Sequence, residues 1–288
     1  LAQMGSDFKQ GLGPLAPGAY LAPYADCDFC PFKAKYPSCG LLCAEFVRDK
    51  LKRETTGKLA AILVEPMQGT AGNVIPPDDF LPAIEQIARE NNALYISDEM
   101  ICGFGRTGKM FGVFHTPSVK PDIMTLGKSL GGGFPVSAVL TRDDISRAEP
   151  WSKPSFSSSS YGGNPLAGAA VAASLSVISN ENLVDNARVV GEVFRQGLLR
   201  LAEKHPAIAH VRGKGLFIGF DLVQLTNGKK ELWSSSKCRD LFAAMLRRGL
   251  IGMAYAPRVR INPPLIFREE EANEALEIID ASLTDVGA

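Results

Sequence analysis

Apolar positions along the chain keep two different rhythms. Short runs at 59–64, 93–97 and 122–126 are nearly continuous in aliphatic residues and stop at charged residues, which predicts buried strands. Between them, Phe80, Ile84, Ile87 and Ala88 recur at helical spacing within 78–92, with Asp78 placed as a cap. Leu41, Leu42, Phe46, Val47 and Leu51 repeat that rhythm across 39–54, with charges on the opposite face. A long amphipathic pattern covers 181–204. Beyond it, 216–223, 250–255 and 258–261 read as strands, and 235–248 and 268–283 as helices. Strand, helix, strand in repetition implies a parallel sheet covered by helices. The fold class expected is therefore α/β, with a mostly parallel sheet in a large domain of residues 1–178 and a smaller α+β domain at 179–288. Residues 1–38, rich in Gly, Pro and Ala, predict an irregular entry segment. The serine-rich stretch 151–161 reads as a flexible linker ahead of an alanine-rich buried helix.

Two of the predicted strands end on charged groups. The run at 93–97 stops at Asp98-Glu99, and the run at 122–126 stops at Gly127-Lys128. In open α/β sheets that edge is where ligands bind. A lysine after a strand is ordinarily a solvated amine. Here Gly127 precedes it and Gly131, Gly132 and Gly133 come after it, so a ligand can approach the backbone closely. Such a lysine can form a Schiff base with a carbonyl while an acid across the site holds a proton on a heteroaromatic nitrogen; pyridoxal phosphate uses both groups. Glu65 has the same two readings, a solvated strand-end carboxylate or a site group. Pro66 favours an extended backbone there, which sends the carboxylate out at the edge where Asp98 lies. Arg260 is followed by Pro263 and Pro264, which fix the chain after it, and a guanidinium binds carboxylate in a bidentate fork.

The segment GFGRTG at 103–108 has the G-x-G-x-x-G spacing of a dinucleotide loop. Gly112 and Pro117 interrupt the stretch where a helix would have to open, and no acid stands about 20 residues on to hold a ribose hydroxyl, so a nicotinamide cofactor is rejected. The glycines are expected to let the loop wrap beside the cofactor. His115, His205 and His210 lack metal-ligand spacing and are expected to be structural or exposed.

Charge narrows the picture further. The 288 residues carry 31 basic and 31 acidic side chains, 45% are hydrophobic, and the pI is near 7.0. That balance suits a globular protein and favours neither nucleic acid nor a membrane as partner. No apolar run approaches the roughly 20 residues of a membrane span, and no basic-then-apolar leader opens the sequence, so a cytoplasmic location is expected. Because the sequence opens on Leu1, it is expected to be a partial or processed chain. Cys27, Cys30, Cys39 and Cys43 form a C-x2-C-x8-C-x3-C pattern. It reads either as a structural zinc site or as two thiols on a helix face with two ordinary loop thiols.

Four segments resemble the ordered signatures of the class III aminotransferases, the ω-amino-acid and ornithine type. They are SDEMICGFGRTGKMFG at 97–112, PDIMTLGKSLGGGFPVSAVL at 121–140, SYGGNPLAGAA at 160–170 and RINPPL at 260–265. The resemblance runs from about Gln68 to the C-terminus and is looser before it. It implies a fold-type I transferase dependent on pyridoxal 5'-phosphate, with Lys128 holding the cofactor as an internal aldimine and Asp98 on the pyridine nitrogen. By the same resemblance, Met100 packs on the ring where valine is usual. Ile101 faces the ring hydroxyl where many members carry glutamine, isoleucine being familiar in an amine-handling branch. Ser160 stands where a family threonine reaches across a homodimer interface to the cofactor phosphate. Glu65, within EPMQG at 65–69, resembles a gate that pairs with Arg260, the receptor for an α-carboxylate. The implied reaction moves an amino group from an ω-amino acid or amine to a 2-oxo acid, 2-oxoglutarate or pyruvate, in a homodimer with shared active sites. The alternatives are a decarboxylase, mutase or racemase of the same fold, or an inactive fragment. The family's phosphate loop and ring-stacking aromatic are expected before Leu1. No metal is implied, since similar cysteine-rich segments occur in relatives whose activity does not depend on one.

Overall fold

A computed structural model describes residues 9–14, 17–156 and 158–287. Part of the expected irregular entry, at 1–8 and 15–16, and Ser157 of the serine-rich stretch lie outside the described residues. The chain divides into two compact units. One takes the described residues up to Ile62 together with Pro76–Leu94, and the other takes Leu63–Ile75 and everything described from Tyr95 on.

In the first unit, helix α1 (Leu42–Glu54) starts after Leu41 in a left-handed conformation, φ 57°, so Cys39 precedes the helix and only Cys43 lies in it. Helix α2 (Phe80–Glu90) buries Phe80, Leu81, Ile84, Ile87 and Ala88, the apolar stripe read from the sequence. Its cap position is Asp79, one residue later than expected. Tyr24 packs edge-on against Phe80 with ring centroids 5.1 Å apart.

Strands β1 (Ala61–Val64), β2 (Leu94–Asp98), β3 (Ile123–Leu126) and β4 (Ala138–Thr141) form one sheet in that order. β2 and β3 are parallel, with Asp98 opposite Thr125; β3 and β4 are antiparallel. The fold class is α/β. Helix α3 (Asp143–Ser146) is one turn. Helix α4 (Pro165–Asn180) begins with proline at its first position, and Asn164 accepts from Ala167 N at 2.8 Å as its cap. This is the alanine-rich helix expected to be buried, and it is not: only Ala167 and Ile178 are buried, while Leu166 is 65% exposed. Apolar composition without a one-sided stripe does not say which face, if any, finds a partner.

Helix α5 (Leu183–Lys204) leads to a second, antiparallel sheet. β6 (Phe217–Thr226) pairs with β5 (Ile208–Lys214), β7 (Lys229–Leu232) and β8 (Arg258–Ile261). Asn227 and Gly228, both at positive φ, make the tight turn between β6 and β7. Helices α6 (Ser235–Arg247) and α7 (Glu269–Asp285) complete the chain. Phe220, Leu222, Leu241, Ile279 and Leu283 join α5 residues Phe194 and Leu198 in one core. Each such fully buried side chain contributes roughly 1.5–3 kcal/mol. The strand expected at 250–255 is absent: Met253 makes a single bridge to Arg260, Gly252 interrupts the run, and Ile251 is 81% exposed. Asp221, buried on β6, holds His210 at 2.9 Å, Arg212 at 2.9 Å and Arg258 at 3.4 Å.

Candidate active site

The two parallel strands β2 and β3 deliver the central pair. Asp98 ends β2, and its Oδ1 accepts the amide of Met100 at 3.0 Å, which fixes the carboxylate against its own turn. The next amide, of Glu99, donates to Thr125 O at 3.0 Å, so the strand end is tied across the ladder. On β3 the chain runs from Thr125 through Leu126 and Gly127 to Lys128. Lys128 is exposed and opens a 3-10 turn (Lys128–Gly131) with φ 47°. A left-handed backbone at a residue with a side chain is disfavoured by roughly 1–2 kcal/mol. A Cβ on Gly127 would sit 2.6 Å from Met100 Cε, so glycine is needed for Met100 to lie there.

Glu65 completes the group. Its Oε2 accepts the amide of Gly69 at 3.0 Å. Burial pushes its carboxyl above the usual range, Asp98 raises it further, and the ammonium of Lys128 lowers it. Glu65, just after β1, is thus influenced both by the acid that ends β2 and by the amine that follows β3. Met100 is partly buried, and Ile101 packs on Gly69, where a Cβ would come 2.3 Å from Ile101 Cδ1, and against Met67, Cys102 and Phe217.

The other two expected site residues stand outside these contacts. Ser160 is exposed in the turns ahead of α4. Arg260 lies on β8 opposite Gly219 and is partly buried. Among the described residues no ion pair joins Arg260 to Glu65, whose carboxylate instead caps the turn at Gly69. The glycines of 103–108 have close neighbours in the C-terminal half of the chain. Gly105 and Gly108 make close approaches to Val184 and Arg188 of α5, and a Cβ on Gly215 would lie 2.4 Å from Thr107 C. The loop is a bracket onto the C-terminal half.

Glu99 escaped the sequence reading. It is fully buried, and its carboxylate accepts from Gly112 N at 2.7 Å, Val113 N at 2.8 Å and Ser97 Oγ at 3.3 Å. The signal was the Asp-Glu pair itself: at the end of a strand, neighbouring side chains leave on opposite faces, so one acid meets the site and the other the interior. Burial pushes the Glu99 carboxyl up, against the lowering effect of those donors.

The histidines are all engaged. His115 Nε2 lies 3.0 Å from Thr107 O, His205 pairs with Asp280 and His210 with Asp221. The cysteine quartet lines one recess of the first unit together with Tyr24, Phe32 and Tyr36. Among the described residues no three His, Cys, Asp or Glu side chains are arranged to hold a metal ion. Burial and the nearby Cys43, Cys39 and Cys30 push the Cys27 thiol up to about 11.

Pyridoxal phosphate asks for an amine, an acid at the ring nitrogen and open backbone between them. Lys128, Asp98 and the glycines at 127 and 131–133 supply these. The Thr125 hydroxyl, opposite Asp98, is buried without a hydrogen-bond partner among the described residues. This end of the sheet thus keeps a polar group that the protein itself does not use, and the residues present fit the ring half of the cofactor.

Comparison with known proteins gives the family. The family described as Aminotransferase class-III matches residues 1–283. Leucine/methionine racemase of Thermococcus litoralis is 35% identical over 276 residues, covering 96% of this chain and 61% of that protein. Ornithine aminotransferase of Exiguobacterium sp. is 35% identical over 280 residues, covering 96% and 60%. The crystal structure of an amine transaminase from an uncultivated Pseudomonas species, with pyridoxal phosphate bound, superposes with a TM-score of 0.90 at 27% identity, over 98% of this chain and 65% of that one. The chain spans about three-fifths of the length of these curated relatives.

Proposed function

Because the chain belongs to the class-III aminotransferase family, we propose that its larger unit carries the lysine side of a pyridoxal-phosphate aminotransferase site. The reaction we assign moves an amino group from an ω-amino acid or amine to a 2-oxo acid, 2-oxoglutarate or pyruvate. The observation that supports this reading is that Asp98 and Lys128 leave the ends of two adjacent parallel strands, β2 and β3, in the sheet whose strand β1 leads to Glu65.

Pyridoxal phosphate, when bound, supplies an electron sink for the substrate carbon. Lys128 would hold it through Nζ, and the same amine, released, takes and returns a proton as general base and acid. Asp98, oriented by the Met100 amide, holds a proton on the ring nitrogen. Met100 and Ile101 bound the ring's surroundings. Arg260 receives the carboxylate of the acceptor in a two-point fork that lysine cannot reproduce. Glu65 neutralises Arg260 when the donor has no carboxylate there. Ser160 reaches the cofactor phosphate of a neighbouring subunit in a homodimer. We place the division between cofactor domain and C-terminal domain at residues 178/179 and the protein in the cytoplasm, as its composition suggests.

Lys128→Ala should abolish the visible absorbance of bound pyridoxal phosphate together with turnover, and retained turnover would refute the assignment. The racemase relative favours a second reading, inversion of an amino acid on the same lysine. Incubating one enantiomer without a 2-oxo acid separates the two: racemisation proceeds under those conditions, and net amino transfer does not.

A further inference from the structure

Two loops that begin at site residues also reach the strand that carries Arg260. The β6–β8 ladder pairs Gly219 with Arg260 and ends at Ile218 with Ile261. Asn262, Pro263 and Pro264 come next in the chain. Proline has no amide hydrogen, so the backbone cannot continue the ladder, and the carbonyls of Leu216 and Pro263 are left at its open end. Arg106 occupies that end: its Nη1 donates to Leu216 O at 3.3 Å and to Pro263 O. Among the described residues no carboxylate pairs with Arg106. Burial lowers its pKa to about 10, which still leaves the guanidinium charged at neutral pH.

Beside it, the fully buried Asn73 donates from Nδ2 to Ile218 O at 2.7 Å and to Asn262 Oδ1 at 2.9 Å. The fit is close, since a Cβ on Gly219 would lie 2.5 Å from Gly72 O. Asn73 belongs to the loop that starts at Glu65, and Arg106 to the loop that starts at Asp98. Each side chain bonds one acceptor on the β6 side and one after β8, supplying cross-strand links that the prolines cannot.

We propose that Arg106 and Asn73 are positioning residues for Arg260: they clasp the proline end of the β6–β8 ladder and thereby set the affinity for the carboxylate of the 2-oxo acid. This deepens the reading given under Proposed function and rests on it. Both bonds leave one nitrogen, Nη1; a lysine at 106 keeps the charge, but its ammonium ends nearer the backbone than Nη1 does, so it should not reach both carbonyls and restore the clasp.

The test compares the wild-type chain, supplied with pyridoxal phosphate, with Arg106→Lys, Arg106→Met and Asn73→Ala. Hydrogen exchange at the amides of Ile261, Asn262 and Leu265 should accelerate by about tenfold or more in Arg106→Met while α7 keeps its protection. In amino transfer, KM for 2-oxoglutarate should rise about tenfold in both Arg106 variants, and KM for a carboxylate-free amine donor should stay within about twofold. Unchanged exchange at those amides, or an equal rise of both KM values, overturns the proposal. General unfolding of Arg106→Met would show as lost protection in α7; Arg106→Lys and Asn73→Ala, which each spare half of the clasp, then decide. If the wild-type chain transfers no amino group, the functional reading fails, while the exchange result still decides whether the clasp exists.

Discussion

Replacing Glu99 by Gln tests the interior half of the strand-end acid pair. The carboxylate offers both oxygens to backbone amides, Oε2 to Gly112 and Oε1 to Val113, and takes a weaker bond from Ser97. Glutamine has one oxygen, so its amide group must face an N–H donor that then has no acceptor. A hydrogen bond to a charged group is worth about 1.5–3 kcal/mol, and an unsatisfied buried donor is penalised by about 1–3 kcal/mol. Removing the buried charge offsets part of this, because burial is the largest influence on Glu99 and raises its pKa. At acidic pH, where the raised pKa keeps the carboxyl protonated and no charge-assisted bond is lost, the unsatisfied donor remains and we expect a net loss of about 1–3 kcal/mol, read as a lower denaturant midpoint by circular dichroism. The pH dependence has a definite sign. A carboxyl whose pKa is raised on folding binds more protons folded than unfolded, so wild-type stability from this group falls as pH rises from about 4.5 through the folded value. Glutamine lacks that slope, and the difference between the two proteins should therefore shrink as the pH is raised across that window. Equal stability of the two proteins at pH 4.5, or a difference that grows with pH, would refute the reasoning.

Other outcomes rest on single positions. Gly191→Ala should destabilise by about 2–5 kcal/mol or displace α5, because the new Cβ would lie 2.0 Å from Gly215 O; thermal denaturation reads it. With burial and its neighbouring thiols pushing its thiol up to about 11, Cys27 should be alkylated at pH 8 at least roughly tenfold more slowly than a free cysteine, measured by peptide mapping after iodoacetamide. The scarcer thiolate is partly offset by its greater nucleophilicity. Val139 and Leu140 on the edge strand β4 are 66% and 51% exposed. Val139→Lys should accordingly reduce dye binding and self-association in light scattering without lowering the denaturant midpoint.

The parts of this protein that announce themselves in the sequence are those whose partners are near in the chain. β2, β3 and the helices are legible from local apolar rhythm, and Asp98 and Lys128 from the points where that rhythm stops. Glu99 was legible only as a charge, since its partners lie 13 and 14 residues on, in a glycine turn with no pattern of its own. The neighbours of the loop at 103–108 are hidden for the same reason: its glycines meet Val184 and Arg188, and Thr107 meets Gly215, which no local spacing discloses. The turn at Asn227-Gly228 was a local signal left unused, and β7 was missed with it.

The clasp at Arg106 and Asn73 also bears on the order in which the molecule assembles. β6 meets β7 through a tight turn and β5 through a short loop, contacts that close early because little chain entropy is lost. The bonds from Arg106 to Pro263 and from Asn73 to Asn262 span 157 and 189 residues. Arg260 should then be the last group to reach its final place, after the antiparallel sheet that carries it has already formed. Pulse-labelled hydrogen exchange during refolding would show this as amides of β6 protected before those of Ile261 and Leu265, and simultaneous protection would contradict it. A nascent or damaged chain of this kind would present a folded C-terminal sheet while Arg260, the carboxylate receptor we propose, is still loose, so on that proposal failure to discriminate among 2-oxo acids should appear sooner than failure to fold.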